Sequence, residues 1–464
     1  MKPATPEAIE LMHRSTVALA QVEANGIKID TKYLKQAIVK TDQRIAVINE
    51  RLRSDPIYEI WRKRFGERTN LGSDQQLATV IFEELKYEER KERTKTGKIR
   101  AGKDALEHVD LPFVRDIVEV ERLKKARGTN LKGLLNETTA VGRVHSNFHL
   151  NTAVTFRSSS RDPNIQNQPI RNEDISNLVR RSFIAPKGFR IGELDYKQIE
   201  VATAASQVRD PVLMEYVADS TKDMHRDMAM QIFKLPVEEI AKPVRITAKN
   251  GYVFPAFYGS YYLQCSKSIW ETIDQFKLKT VSGVPLKKHL KTQGIRALGA
   301  CDRNVKPERG TFEYHLKEID EDFWKRRFKV YAEWKKSWWD RFLRVGSFRM
   351  MTGFVCRGEL DRKQVCNAPI QGAAFHCLLW SLIHLQDWLN ENHMRTRIIG
   401  EVHDSMILEF HEPELERVLR KAKKLMTQDI RQAWKWIKVP LAVEAEIAPL
   451  GGSWADKKPM EIPA

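Results

Sequence analysis

The sequence predicts an α+β fold, in which long helices outnumber a smaller and separate set of strands. Apolar residues recur at helical spacing through residues 6–60 and through most of residues 199–350. Segments that alternate like strands, or form short apolar runs beside turns, fall in residues 143–194 and in the tail after residue 397. With 464 residues and 42% hydrophobic side chains, the chain is long enough for two or three domains with substantial cores.

The helical first part is predicted to break near residues 23–30. Asn25-Gly26 ends the first helix, and Asp30 offers a capping carboxylate to the next one. A further helix is expected at residues 73–84. The following stretch, residues 86–103, is dense in Lys, Arg and Glu, and it is either a solvated tip or a clamp on a phosphate backbone.

Strands are expected around the middle of the chain and in its tail. Residues 143–150 alternate between polar and apolar side chains, and a turn at Pro186-Lys187-Gly188 leads into a short apolar strand that ends at Asp195. The tail is expected to form strand, strand, helix and strand, at residues 397–402, 406–410, 413–436 and 441–447. Residues 278–312, rich in glycine and lysine, are expected to be an inserted loop or subdomain.

The charge balance points to a polyanionic partner. Lysine and arginine exceed aspartate and glutamate by 17, which favours nucleic acid. The five cysteines are odd in number and widely spaced, which argues against a disulfide framework or a structural zinc site and for a reducing compartment. The sequence contains neither a run of about 18 apolar residues nor a signal-peptide core, so we expect a soluble intracellular protein without membrane contact.

Two aspartates, Asp195 and Asp404, each stand where a buried strand is expected to end. Carboxylates on neighbouring strands can hold two divalent cations about 3.5–4 Å apart, an arrangement that serves in-line phosphoryl transfer. Hard oxygen ligands suit Mg²⁺, which keeps waters and substrate phosphates in its other positions. One aspartate alone would commonly be a helix cap or a surface residue. Gln198 and Glu200 add polar side chains to an otherwise apolar helix start just after Asp195, and such groups need a purpose.

Between the aspartates lies a cationic and aromatic helix face. Arg245 and Lys249 are four residues apart, so they share a face and can grip a triphosphate. Phe254 and Tyr258 have the same spacing and can stack on a base or sugar, and His225 could donate to a terminal phosphate. An ordinary amphipathic helix would show the same spacing. This segment is, however, a poor helix on propensity grounds, and such defects often mark functional sites.

A third cluster, residues 367–374, combines small side chains with two amides. Asn367 and Gln371 are one helical turn apart and could both hydrogen-bond in a DNA minor groove, where acceptors are nearly the same for every base pair. A packed helix with two satisfied amides explains this segment equally well.

The order aspartate, basic helix, aspartate is that of a template-directed polymerase.

Together these segments resemble the family A DNA polymerases, the group of bacterial polymerase I and phage replicases. Residues 195–200 are similar to motif A of that family, residues 245–259 to motif B, and residues 402–405 to motif C. Further similar segments are Asn70 to Ser73 with Gln76 and Leu77, residues 142–145, Arg157 to Ser159, Asp162 to Asn167, Arg180 to Pro186, residues 367–374, and Gly452 to Trp454. The resemblance spans about residue 15 to the end, and motifs in this order are specific.

The resemblance implies roles for individual residues. Asp195 and Asp404 would bind two catalytic Mg²⁺ ions, for which Mn²⁺ could substitute, with help from the Tyr196 carbonyl, while a primer 3′-oxygen attacks the α-phosphate. The dNTP would contact Lys249, Arg245, His225, Phe254, Tyr258, Glu200, Gln198 and Tyr196, with Lys249 also catalytic. DNA would contact Arg157, Asn164, Gln166, Asn367, Gln371, His403, Asn70 and Ser73. Glu200 would exclude a ribose 2′-hydroxyl, and Tyr258 would guard the insertion site.

It also implies a right-hand polymerase architecture, with an antiparallel-sheet palm carrying both aspartates and largely helical fingers and thumb. The expected divisions are a connector helix at 1–30, a thumb at 31–140, a palm at 141–215 and 355–464, and fingers at 216–354 with the insertion near 278–312. The basic stretch at 86–103 would then be the thumb tip along the duplex. The helix with Arg245 and Lys249 would swing on nucleotide binding.

The sequence departs from the family pattern in three respects. Motif C ends in Ser405 where the bacterial enzymes carry glutamate, a form also seen in single-subunit RNA polymerases. Lys249 and Phe254 are five residues apart instead of four, which in a regular helix would turn Lys249 about 100° from the aromatic face. We therefore expect a π-bulge or a break near Gly251–Pro255 that restores the shared face. Nothing before residue 30 could form a 3′–5′ exonuclease domain, so we expect no intrinsic proofreading site.

The leading hypothesis is DNA-templated DNA synthesis with primer–template DNA and dNTPs as partners. DNA-templated RNA synthesis is the nearest alternative, supported by Ser405 and opposed by Glu200. A basic DNA-binding protein without catalytic activity is a second alternative. We expect a monomer in the cytoplasm of a bacterium or of a phage-infected host cell. Any proofreading would come from a separate exonuclease, and a processivity factor is a further candidate partner.

Overall fold

The computed structural model describes residues 2–87, 109, 111–169, 172–219 and 221–463, so most of the charged stretch at 86–103 lies outside the described residues. The predicted α+β class is confirmed. Helices form most of the described chain, and its strands pair in antiparallel fashion in four sheets.

The largest sheet has five antiparallel strands and contains every strand that was predicted beside the two aspartates. Its spatial order is β12 (Lys458–Met460), β11 (Val443–Ile447), β6 (Phe189–Tyr196), β10 (Ser405–His411) and β9 (Arg397–Val402). Gly192 lies in the middle of β6, where a Cβ atom would come within 2.4 Å of Ile447 Cδ1 and 3.0 Å of the Glu446 carbonyl. Glycine therefore permits the close approach of β6 to its neighbours.

The other sheets are small. One contains β1 (Lys2–Pro3), β8 (Phe354–Arg357) and β7 (Ser347–Arg349); β2 (Ile27–Lys28) pairs with β3 (Arg143–Val144); and β4 (Asn147–His149) pairs with β5 (Ser159–Arg161). The single strand expected over residues 143–150 is thus wrong, because the chain bends between two sheets. His145 Nδ1 lies 2.7 Å from the Glu23 carbonyl, and the Ser146 hydroxyl donates to the Pro163 carbonyl at 2.7 Å.

Helices follow the predicted periodicity, with π-helical turns continuing several of them. The α-helices are Pro6–Asn25, Thr31–Arg53, Pro56–Phe65, Asp74–Thr79, Pro112–Lys125, Gly133–Glu137, Glu173–Arg180, Ile199–Val208, Pro211–Ala218, Met224–Phe233, Lys242–Ala248, Phe254–Phe257, Tyr262–Gln275, Leu286–Thr292, Phe312–Asp322, Lys329–Val345, Arg362–Glu391, Leu415–Lys424 and Ile430–Ala433. The π-helical segments are Val80–Glu84, Ala126–Lys132, Lys249–Val253, Phe323–Arg327 and Leu425–Asp429, and the 3₁₀ turns are Gly66–Arg68, Val237–Glu239, Glu412–Glu414 and Trp454–Asp456.

The break predicted near residues 23–30 is confirmed. Gly26 ends the first helix with a φ of 56°, a left-handed value that glycine adopts readily. The Asp30 side chain then caps the next helix by accepting the Tyr33 N–H at 2.9 Å.

The described residues form two hydrophobic clusters. The smaller one gathers side chains of residues 48–126, such as Trp61, Phe82 and Phe113, together with Ile175. The larger one contains the rest of the core, including both faces of the central sheet. The smaller cluster falls mainly within the expected thumb, and the domain boundaries themselves stay a prediction.

A long buried helix, Arg362–Glu391, supports the central sheet. It begins with a capping box formed by Asp361 and Gln364, and most of its residues are buried. The Tyr196 hydroxyl at the end of β6 lies 2.8 Å from Ser381 Oγ on this helix. The first helix, Pro6–Asn25, also packs on it, so the segment expected as a connector is part of the main core.

Residues 278–312 are ordered rather than a loose loop. They contain the helix Leu286–Thr292, whose Leu286 and Leu290 are fully buried, and an isolated bridge joins Ala297 to Thr311. The five cysteines are all free. Within the part of the chain that the structure describes, no helix is both long and apolar enough to cross a membrane.

Candidate active site at the end of the central sheet

Asp195 and Asp404 are brought together by two adjacent strands. Asp195 lies near the end of β6, and Asp404 lies in the turn that joins β9 to β10, where His403 has a left-handed φ of 61°. Ser405 pairs directly with Asp195, and the Tyr196 N–H donates to the Asp404 carbonyl at 3.4 Å. Residues paired across antiparallel strands have Cα atoms about 4.5–5.5 Å apart. The two aspartates therefore form one acidic site.

The electrostatics of this site favour a bound cation. Asp195 is exposed at the surface of the site, but desolvation by the surrounding protein, followed by the charges of Asp404, Glu444 and Glu446, raises the pKa of Asp195 to about 7. Burial also raises the pKa of Asp404, against the opposing charge of Arg157. A divalent cation would relieve this crowding of carboxylates, and an all-oxygen donor set suits Mg²⁺. The described residues form no group of three or more metal-binding side chains, so water and substrate oxygens would have to complete the coordination.

Glu200 and Arg157 stand beside the aspartate pair. Arg157 lies between the two acidic groups, with Nη2 3.4 Å from Asp404 Oδ1 and Nη1 3.6 Å from Glu200 Oε1. The Tyr258 hydroxyl donates to Glu200 Oε2. Burial, and then the charge of Asp404, raises the pKa of Glu200 to about 7. Glu200 thus links the sheet end to the helical segment that ends at Tyr258.

The predicted π-bulge in that helical segment is confirmed. The helix Lys242–Ala248 continues without a break through the π-helical segment Lys249–Val253 into Phe254–Phe257. The wider turn absorbs the extra residue, and Lys249 Nζ lies 5.0 Å from the centre of the Phe254 ring. A Cβ atom on Gly251 would come within 2.5 Å of Ile269, which explains a glycine inside this turn.

His225 and the two aromatic residues form one cluster with Lys249. The His225 ring meets Phe254 edge-on at 5.4 Å, and the Phe254 and Tyr258 rings are nearly parallel at 6.1 Å. Burial, and then the charges of Lys249 and Arg245, lowers the pKa of His225 to about 4. The imidazole is therefore neutral near pH 7.

Arg245 has a partner that the sequence did not reveal. Its Nε and Nη2 donate to the two carboxylate oxygens of Asp223 at 2.6 and 3.0 Å. The same carboxylate caps the helix Met224–Phe233 by accepting the His225 and Arg226 N–H groups. Asp223 therefore fixes the position of Arg245 relative to His225.

Asn367 and Gln371, the two predicted amides on the buried helix Arg362–Glu391, lie near the aromatic cluster. Asn367 and Gln371 are half-buried, unlike their neighbours, and Asn367 Nδ2 lies 3.4 Å from the Tyr258 carbonyl. Gly372 makes this segment compact, because a Cβ atom there would lie 2.1 Å from the end of the Met350 side chain and 2.6 Å from the Thr155 carbonyl. These contacts bring the third predicted cluster next to the aromatic one.

The side chains of four other predicted residues form hydrogen bonds with protein groups. Gln166 is buried and donates to Ser158 Oγ and Glu401 Oε1, both at 2.7 Å. Asn164 is exposed along a groove of about 820 Å³, and its Oδ1 accepts the Asn167 N–H at 3.0 Å. Asn70 and Ser73 lie in the smaller cluster's part of the chain, where Asn70 accepts the Gly72 N–H and Ser73 caps the helix Asp74–Thr79. The structure does not bring Asn70 and Ser73 to the aspartates.

The remaining predicted residues lie at the edge of the site. Gln198 is exposed, and its φ of 56° starts the helix Ile199–Val208. The Tyr196 side chain is buried against the central helix, so only its backbone is directed to the site. His403 is exposed in the turn beside Asp404, and partial desolvation, followed by the charge of Arg157, lowers the pKa of His403.

Sequence reasoning missed three carboxylates. Asp223 holds Arg245, Glu444 pairs directly with Asp195 from β11, and Glu401 lies fully buried on β9. Glu401 accepts from Ser158 and Gln166 while its Oε2 has no partner among the described residues, and burial raises its pKa to about 7. A glutamate inside an apolar strand next to motif C was the available signal for Glu401.

Comparison with known proteins gives a consistent result. The family model described as DNA polymerase family A matches residues 32–276 and 353–456. The chain is 28% identical to DNA polymerase I of Chloroflexus aurantiacus over 99% of its own length and 44% of that protein, and 28% identical to DNA polymerase I of Geobacillus stearothermophilus over 95% and 45%. It therefore spans less than half the length of these curated relatives.

A solved structure supports the fold. The chain resembles the POL domain of Pol1 from M. smegmatis in complex with DNA primer–template and dNTP, with a TM-score of 0.73 at 23% identity. The match covers 96% of this chain and 70% of that one.

Proposed function

The chain belongs to DNA polymerase family A, and on this premise we propose that it catalyses template-directed addition of dNTPs to a primer 3′ end. One observation carries the proposal. Asp195 and Asp404 meet at the end of the central sheet and are joined, through the hydrogen bond between Glu200 and Tyr258, to the helix that bears Lys249. In the mechanism we infer, the primer 3′-oxygen attacks the α-phosphate and pyrophosphate leaves in line.

The residues of the sheet end would hold two Mg²⁺ ions, or Mn²⁺ in their place. Asp195 and Asp404 would supply carboxylate ligands, with the Tyr196 carbonyl beside them. When bound, such ions lower the pKa of the attacking hydroxyl and neutralise the leaving group. The raised pKa of Asp195 means that proton release accompanies cation binding near pH 7.

The triphosphate would lie along Lys249, Arg245 and His225. Lys249 would neutralise charge that develops on the leaving group, the role expected of a preorganised cation. Neutral His225 would offer one N–H to the terminal phosphate, and its Nδ1 has no partner within the described residues. Arg245 would bind phosphate through the donors that Asp223 does not use.

The sugar and base would pack on the aromatic cluster. Phe254 would contact the deoxyribose, and Glu200 would occupy the space that a ribose 2′-hydroxyl needs. Tyr258 would guard the insertion site, held there by its hydrogen bond to Glu200. Gln198 would lie at the edge of this pocket.

Three parts of the protein would contact the nascent duplex: the end of the central sheet, the buried helix Arg362–Glu391, and the part of the chain that contains the smaller hydrophobic cluster. Asn367, Gln371 and Arg157 would reach minor-groove acceptors, and His403 would support the primer terminus. Asn164 would contact the strand from its exposed position, and Gln166 would act by fixing the loop that carries Arg157. Asn70 and Ser73 would approach the backbone farther along the duplex.

RNA synthesis is the second candidate, and Ser405 is the observation that favours it. Ser405 points its hydroxyl to the Val402 carbonyl at 3.1 Å and adds no carboxylate to the site. Glu200 opposes this alternative, because it fills the space of a 2′-hydroxyl. A DNA polymerase is therefore the function that the geometry supports best.

Other parts of the proposal concern the cell. We infer a monomer acting in the cytoplasm of a bacterium or of a phage-infected host cell. A separate exonuclease and a processivity factor stay predicted partners.

Primer extension on a defined template, with dNTPs or rNTPs supplied separately, tests the proposal. We expect extension with dNTPs and Mg²⁺, and we expect Asp195→Ala to abolish it while DNA affinity is retained. Glu416→Ala serves as the control, because it removes an exposed carboxylate outside the site. Unaltered extension by Asp195→Ala would contradict the catalytic assignment, and efficient extension with rNTPs alone would favour the RNA alternative.

A further inference from the structure

The basic insert, residues 278–312, has a charge that the proposed active site does not explain. Its 35 residues carry eight lysine or arginine side chains and two acidic ones, so it supplies +6 of the net +17 of the chain. It also lies outside the two segments that match the family model. Its role is therefore to be sought in this chain's own residues.

The basic insert is a folded unit with a defined inner face. Leu286 and Leu290, four residues apart on its helix, are fully buried, and Ile295 is nearly so. The Ser282 N–H and hydroxyl both bond to Glu239 Oε2, at 3.1 and 2.8 Å. The insert is thus held on the rest of the protein by apolar packing and by specific hydrogen bonds.

The outer face of the basic insert is cationic and unneutralised. Two of its eight cations are exceptions: Lys287 lies 2.5 Å from Asp274 and over the ring of Trp270, and the Arg309 side chain is hydrogen-bonded to Tyr314. Six exposed side chains have no ion pair or side-chain hydrogen bond with any described residue: Lys279, Lys288, Lys291, Arg296, Arg303 and Lys306. Like charges that are grouped without counter-charges cost free energy through repulsion, and a bound polyanion would relieve it.

The position of the basic insert places it outside the catalytic cleft. Its contact at Glu239 lies just before Lys242, where the helical segment that ends near Tyr258 begins. Sixteen residues at about 1.5 Å each separate Lys242 from Tyr258 by about 24 Å. That distance corresponds to about seven base pairs of a duplex at about 3.4 Å each.

We propose that the basic insert binds the phosphodiester backbone of nucleic acid that extends beyond the insertion site. The inference rests on the proposed polymerase function, which brings nucleic acid to this side of the molecule. The shared chemistry is the backbone phosphate, whether it belongs to a single-stranded template overhang or to duplex. Lysine and arginine side chains that each neutralise a phosphate release condensed counterions, so their contribution weakens as salt rises.

The test is the salt dependence of DNA affinity, measured without nucleotide. The variant Lys288→Gln, Lys291→Gln and Arg296→Gln removes three exposed, unpaired charges and leaves the buried face intact. Three ligands are compared: a blunt primer–template duplex, the same duplex with a template overhang of about 20 nucleotides, and the overhang strand alone. If all three charges contact phosphate, the slope of log K against log salt should become shallower by about 2 for single strand, or by about 3 for duplex.

The matched control is Arg431→Gln, Lys435→Gln and Lys438→Gln, three exposed cations outside the insert whose side chains also have no ion pair among the described residues. It should keep the slope of the unaltered protein. A change confined to the overhang ligands assigns the template strand, and a change on the blunt duplex assigns duplex. Equal slopes for the insert variant and the control on every ligand would overturn the proposal. Primer extension by the variant on a template with a short overhang reports the polymerase function separately.

Discussion

Removing the extra residue from the π-helical segment should preserve the activity of the proposed nucleotide-binding helix, whereas adding another residue should not. Lys249 and Phe254 are five residues apart and share a face through the wide turn. Deleting Asn250, an exposed residue whose side chain makes no hydrogen bond with the described residues, returns the spacing to four. An ordinary α-helical turn also places residues four apart on one face. Inserting an alanine after Asn250 makes the spacing six, which neither turn accommodates.

The size of the effect follows from helix geometry. One uncompensated residue turns a helix by about 100° and advances it by about 1.5 Å. For side chains about 5–6 Å from the axis, the charges of Arg245 and Lys249 would move by about 8–9 Å relative to Phe254. Each hydrogen bond to a charged group contributes about 1.5–3 kcal/mol, so losing both, about 3–6 kcal/mol, predicts a fall in kcat/KM of about 150- to 25,000-fold.

Single-turnover primer extension over a range of dNTP concentrations measures this difference. The deletion should retain kcat/KM within about tenfold, and Lys249→Ala gives the reference for loss of one charge. Thermal unfolding and circular dichroism establish that each variant is folded. A folded deletion variant that loses as much activity as the insertion variant would contradict the proposed role of the wide turn, as would an insertion variant with normal activity.

Three further outcomes are expected. Glu200→Ala should lower the preference for dNTPs over rNTPs by about 100-fold in kcat/KM while Glu200→Gln keeps it, and an unchanged preference in the alanine variant would remove the sugar-gate role. Burial raises the pKa of Glu401 from 4.5 to about 7, so between these pH values its carboxyl group keeps a proton in the folded state that it loses in the unfolded state. Glu401 therefore lowers the free energy of unfolding progressively as the pH rises from about 4.5 to 7, by up to about 3 kcal/mol. Denaturant unfolding of Glu401→Gln should therefore vary less across this pH range than that of the unaltered protein, and identical pH profiles would count against a raised pKa. Gly192→Ala should cost about 1–3 kcal/mol of unfolding free energy, whereas Gly133→Ala, where a Cβ meets nothing within 4 Å, should be neutral or stabilising by about 0.5–1 kcal/mol; equal effects would show that close packing at Gly192 is not limiting.

Local sequence signals were sufficient for the elements that carry the aspartates. Alternating and apolar runs predicted β6, β9 and β10, because buried strands need such patterns whatever their neighbours are. The π-helical turn was predictable for a different reason. One residue too many between Lys249 and Phe254 leaves only a wider turn or a break if the two side chains are to share a face.

Contacts between distant segments were beyond local patterns. The bond from Gln166 to Glu401 joins residues 235 positions apart, and no periodicity links them. Asp223 could be read only as a helix cap, since its second role depends on where the helix with Arg245 packs. The bend at residues 145–146 was missed because hydrogen bonds to Glu23 and Pro163 outweigh the strand pattern.

The buried helix Arg362–Glu391 supports the strand that carries Asp195. Its 30 residues span about 45 Å at about 1.5 Å each, with Asn367 and Gln371 near one end and Ser381 seated under Tyr196 in its middle. If the strand that carries Asp195 moved, this helix and the first helix, Pro6–Asn25, would have to move with it. Tyr258 is hydrogen-bonded to this helix at Asn367 and to Glu200 on the helix Ile199–Val208. We therefore expect any opening and closing of the proposed nucleotide pocket to move the segment with Lys249, while the strand that carries Asp195 stays in place.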